Sequence, residues 1–90
     1  LSSAGVMSLK FILKDDPLLQ KEVKRCENPA AICEMARKLG IKLTQADLLR
    51  IEAQTTLCLT DEELERWFET PYHERFLISL EVKQLDLAAR

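Results

Sequence analysis

Each of the three prolines in this chain stands directly behind a residue that can cap a helix: Asp16-Pro17, Asn28-Pro29 and Thr70-Pro71. Proline suits the first helical turn, where its missing N–H has no partner to lose. An Asp, Asn or Thr before it can accept hydrogen bonds from the next free amides. Two further starts are written without proline. Thr44 is followed three residues later by Asp47, and Thr60 by Glu63, the reciprocal pattern of a capping box. So many starts in 90 residues leave room only for short helices, and no run alternates strictly enough to be a strand. The chain is expected to be all-α, a compact bundle of five to six short helices.

Apolar spacing fills in the segments between these starts. Leu9, Ile12 and Leu13 form a helical stripe that Phe11 widens, and Leu19, Val23 and Cys26 form a second. Ile32, Ala36 and Leu39 mark a third helix, closed by Gly40 as a left-handed cap with Ile41 folding back on the last turn. In the helix after Thr44, Ala46, Leu49, Ala53 and Leu57 share one stripe while Leu48 and Ile51 lie off it, which implies contact on two sides. The β-branched pair Thr55 and Thr56 weakens its end and places a stop near Leu57 to Leu59. Leu64, Trp67 and Phe68 share the apolar face of a fifth helix. Thr70-Pro71 closes that helix and opens the last, whose Phe76, Leu77, Ile78, Leu80, Val82 and Leu85 cover more than one side.

Met7-Ser8-Leu9-Lys10 looks like a natural translation start. Residues 1–6 are therefore expected to lie outside the fold, as an appended or disordered extension. Residues 7–90 then form one helical domain, with the compact part in 8–57 and the C-terminal interaction helices in 60–90.

Composition narrows function by exclusion. A net charge of -2 and a pI of about 5.4 lack the basic excess of a phosphate-tracking protein, so nucleic acid is disfavoured. No apolar run is long enough to span a bilayer and no signal pattern opens the chain, so a cytoplasmic location is expected. Cys26, Cys33 and Cys58 have neither disulfide-framework nor zinc-site spacing and are expected to be buried thiols. His73, the sole histidine, reads as a solvated first-turn residue. Asp61, Glu62, Glu63 and Glu65 are explained by the positive end of the helix dipole. No catalytic residue, cofactor or metal site is expected.

Ser8 to Val23, with its Asp16-Pro17-Leu18-Leu19 corner, is followed by Asn28-Pro29-Ala30-Ala31-Ile32 and then Ala36-Arg37-Lys38-Leu39-Gly40-Ile41. In order and spacing, roughly Ser8 to Leu49 resembles the Nif-eleven-type domain. This is a family of small bacterial proteins associated with nitrogen-fixation loci and, in a related branch, with leader peptides of ribosomally made natural products. Leu59-Thr60-Asp61-Glu62-Glu63-Leu64-Glu65 is similar to the acidic element near the end of those leaders. No Gly-Gly cleavage site follows, since no glycine occurs after Gly40. The resemblance therefore implies a stand-alone, leader-peptide-like member recognised by another protein.

Leu59, Glu63, Leu64, Trp67, Phe68, Phe76 and Leu80 are the expected protein-binding residues, because aromatics gather there beside the acidic element. The function expected is that of a non-catalytic adaptor. By resemblance its partner is a peptide-modifying enzyme or a component of a metabolic complex, and the two-sided last helix also allows self-association. The alternative is a small DNA-contacting regulator, in which the helix after Gly40 offers Gln45, Arg50 and Gln54 to the major groove.

Overall fold

The structure, a computed structural model, describes residues 4–85. Six helices follow one another: α1 (Ala4–Lys14), α2 (Pro17–Lys24), α3 (Pro29–Lys38), α4 (Gln45–Leu57), α5 (Asp61–Glu69) and α6 (Tyr72–Ser79). The all-α bundle expected from the sequence is what forms.

Four of the starts are capped as their residues dictate. The Asp16 carboxylate accepts the Leu19 N–H at 3.0 Å and the Asn28 side-chain oxygen accepts that of Ala31 at 2.9 Å. Thr44 with Asp47, and Thr60 with Glu63, close both halves of their capping boxes at 2.9–3.2 Å. The fifth start differs. The Thr70 hydroxyl donates back to the Arg66 carbonyl at 2.8 Å, closing α5, and α6 begins with no side-chain cap.

Two corners share one device. At Gly40 (φ 77°) the amides of Gly40 and Ile41 reach the carbonyls of Arg37 and Ala36, at 3.0 and 2.9 Å. After α6 the same pair of bonds, Glu81 to Ile78 and Val82 to Leu77, forms with Glu81 in the left-handed conformation at φ 62°. The last helix therefore stops at Ser79, short of the Val82 and Leu85 that its apolar pattern includes. A left-handed glutamate carries no glycine to announce it.

The core is drawn from both halves of the chain. Val6, Leu9 and Leu13 of α1, Leu19 and Val23 of α2, Ile32 and Ala36 of α3, and Leu48 and Ile51 of α4 close around Phe76, Leu77 and Leu80. Helix α4 packs on α3 and α6, α2 on α1 and α6. Residues 7–90 are expected as one domain with its compact part in 8–57, and that limit is corrected: α6, counted among the C-terminal interaction helices, supplies Phe76, Leu77 and Leu80 to the core. The part of the expected interaction segment beyond residue 85 lies outside the described residues.

The N-terminal expectation is corrected too. Helix α1 begins at Ala4, and Val6 is buried in the core. A side chain at Gly5 would collide with the Lys42 backbone carbonyl, so α1 crosses the Gly40–Leu43 corner at a distance only glycine permits. Residues 1–3 of the presumed extension lie outside the described residues. Helix propensity alone makes Gly5→Ala favourable; the collision reverses the sign. The substitution is expected to lower the unfolding free energy by about 1–3 kcal/mol, the usual cost of overpacking. A urea midpoint that falls at constant m would show it, and a rise would mean that the contact with Lys42 is not made.

Candidate interaction surface

A cluster of polar and aromatic groups joins α4, α5 and α6. The indole N–H of Trp67, a buried residue, donates to the Glu52 carboxylate at 2.9 Å. The same carboxylate pairs with the Arg75 guanidinium at 3.2 Å, and that guanidinium lies over the Tyr72 ring, 5.4 Å from its centroid. The Arg75 Nε and the Ser79 hydroxyl are buried with no protein partner. Burial, then the nearby Glu52 carboxylate, pushes the Tyr72 phenol well above its ordinary value, so it stays protonated. This cluster fastens α5 to the bundle.

Above that fastening, α4 and α5 turn apolar side chains outward. Ala46, Leu49, Ala53 and Leu57 line the outer stripe of α4, with Leu57 85% exposed, and Phe68 on α5 is 85% exposed as well. The stripe that periodicity picks out on α4 is the solvent face; Leu48 and Ile51, which lie off it, are the ones that reach the core. Asp61, Glu62 and Glu65 are exposed on the same helix as Phe68, Glu65 within one turn of it.

The seven expected contact residues separate accordingly. Phe68 is presented to solvent. Leu59, Glu63 and Leu64 are half-buried, and the Glu63 carboxylate is engaged with the Thr60 amide. Trp67, Phe76 and Leu80 are corrected to buried residues, each 2–3% exposed and out of a partner's reach. On α5, Leu64 and Trp67, three apart, turn inward, whereas Phe68 lies about 100° further round the helix. Leu49 and Leu57 join the surface without having been expected there. Their two-sided helix was the available signal, though it could not say which side was wet.

Other candidates offer little chemistry. Cys26 is buried and Cys33 half-buried, and burial raises both thiols above the ordinary range, further helped by Glu22 and Asp47 respectively. Cys58, expected to be buried, is exposed at the C-terminal cap of α4. Among the described residues no three His, Cys, Asp or Glu side chains converge as a metal site would require, and no helix is long and apolar enough to cross a membrane.

Family models, curated proteins and solved structures yield no match to this chain.

Proposed function

We propose that this protein is a non-catalytic interaction module whose α4–α5 surface receives a basic amphipathic helix of a partner protein. The carrying observation is the exposed trio Leu49, Leu57 and Phe68 on a scaffold whose helix starts are fixed by reciprocal caps. Large apolar side chains exposed on two consecutive helices are what a docking partner would cover. Asp61, Glu62 and Glu65, on the same helix as Phe68, select for Lys and Arg on the incoming helix, adding encounter rate and register more than raw affinity. The resemblance to Nif-eleven-type domains implies a peptide-modifying enzyme or a metabolic complex component as the bearer of that helix. The outer face of α4 favours protein over DNA: its one cation, Arg50, sits 3.8 Å from Asp47, and leucines occupy positions where a groove-reading helix needs donors.

Two synthetic helices test this, each with leucines at i, i+3, i+4 and i+7, one flanked by lysines and the other by glutamates. Anisotropy titration is expected to show binding of the lysine helix alone. Phe68→Ser should weaken it at least tenfold with an unchanged circular dichroism spectrum. Equal affinity for both helices, or indifference to Phe68→Ser, would overturn the assignment.

A further inference from the structure

The element that the α4–α5 surface selects for is present in the chain itself. Helix α1 is AGVMSLKFILK, in which the only charged residues are Lys10 and Lys14; every other helix contains at least one carboxylate. It is apolar on two sides. Val6, Leu9 and Leu13 enter the core, while Met7 and Phe11, one turn apart on the outer side, are 55% and 78% exposed. Across the Asp15–Asp16 corner, Leu18 at the start of α2 adds a further side chain at 75% exposure. Lys10 and Lys14 flank Phe11 in sequence; Lys10 makes a long 3.4 Å contact with Glu81, and both retain donors for another partner.

Helix α5 has the opposite composition. DEELERWFE carries five carboxylates against one arginine, with Phe68 facing solvent. The imbalance extends beyond these helices: residues 7–42 hold eight Lys or Arg against five Asp or Glu, and residues 44–81 hold three against nine. The earlier part of the chain thus carries a basic excess beside the exposed Met7 and Phe11, and the later part an acidic excess beside the exposed Leu57 and Phe68.

We infer that the protein self-associates head to tail, the Met7–Phe11 face of α1 in one copy seating on the Leu57–Phe68 surface of α4–α5 in the next. The inference rests on the interaction surface proposed above and names a second copy of this chain as its occupant when no partner is bound. In this head-to-tail arrangement the contact is heterologous, and each added copy leaves one patch of each kind open. An 11-residue helix is about 16 Å long, so the contact is small and the association weak and concentration-dependent. A partner's basic helix takes the same seat and disperses the chain of copies.

Sedimentation equilibrium at low salt decides it. The weight-average mass is expected to climb from the 10.3 kDa monomer as concentration rises from about 50 µM to about 1 mM, and to fall back in 0.5 M salt. Phe11→Glu and Phe68→Ser, both at exposed positions, should each remain monomeric; Met7→Glu should repeat the Phe11→Glu result. Mixing Phe11→Glu with Phe68→Ser leaves one sound patch of each kind, and the mixture should form dimers and stop there. A native mass that stays monomeric throughout, a single variant that still associates, or a mixture that does not recover would each overturn the inference. Binding of the lysine-flanked helix is read separately. If that helix binds while the native chain stays monomeric, self-association fails and the interaction surface stands.

Discussion

Phe76→Ala is expected to remove about 3–5 kcal/mol of stability, the range for deleting a buried aromatic ring. A domain of this length holds only about 5–13 kcal/mol in total, so the substitution removes a large share of it and should lower the melting temperature by more than about 10 °C. The size of the effect follows from position. Phe76 is 2% exposed and lies on α6, which packs against both α2 and α4, so the cavity would open where three helices meet. Phe76→Leu, which keeps most of the volume, should cost well under half as much. Urea denaturation followed by far-ultraviolet circular dichroism gives both values. A loss below about 1 kcal/mol for the alanine variant would mean that α6 sits loosely on the bundle and that the compact part lies in residues 8–57 after all.

The second large effect belongs to Glu52. Its carboxylate satisfies the Trp67 indole and the Arg75 guanidinium together, so Glu52→Ala leaves two donors without an acceptor beside an Arg75 Nε that already lacks one. Stranding such groups costs about 2–3 kcal/mol. The carboxylate and the guanidinium each retain about a quarter of their exposure, which keeps the figure below that of a fully buried pair. Glu52→Gln keeps an acceptor for the indole and should lose roughly half as much. Trp67 is the sole tryptophan, so its emission should shift to the red in the alanine variant before the helical signal falls. Affinity for the lysine-flanked helix should drop with it, because α5 would no longer hold Phe68 in place. A double-mutant cycle with Arg75→Ala that shows no coupling would remove the shared carboxylate from this account.

Local signals carried the architecture well and tertiary choices poorly. Asp16, Asn28, Thr44 and Thr60 cap their helices because the bond each makes lies within three residues, a range the sequence displays openly. Gly40 was equally legible, since few other residues take φ 77° without cost. Glu81 was not: it adopts the same conformation because Val82 folds back onto the core, a contact spanning distant parts of the chain. The two faces of α4 were both visible as apolar, yet only packing against α3 and α6 decides that Leu48 and Ile51 turn inward while Leu49 and Leu57 stay wet. Trp67, Phe76 and Leu80 read as partner contacts in the sequence for the same reason. An aromatic cluster looks alike whether it is destined for a core or an interface, until the neighbours that bury it are in place. Val6 falls outside the fold expected from the sequence because Met7 looks like a translation start, although its spacing to Leu9 and Leu13 continues their helical stripe.

The reciprocal caps of α4 and α5 have a consequence for how this molecule can be altered. Each helix start is secured by groups within its own first turn, and none of those groups belongs to the outward stripe at positions 49, 57 and 68. Substitutions on that stripe should therefore add with little cross-talk to the frame beneath. Recognition can be rewritten there, one side chain at a time, without the scaffold having to be rebuilt.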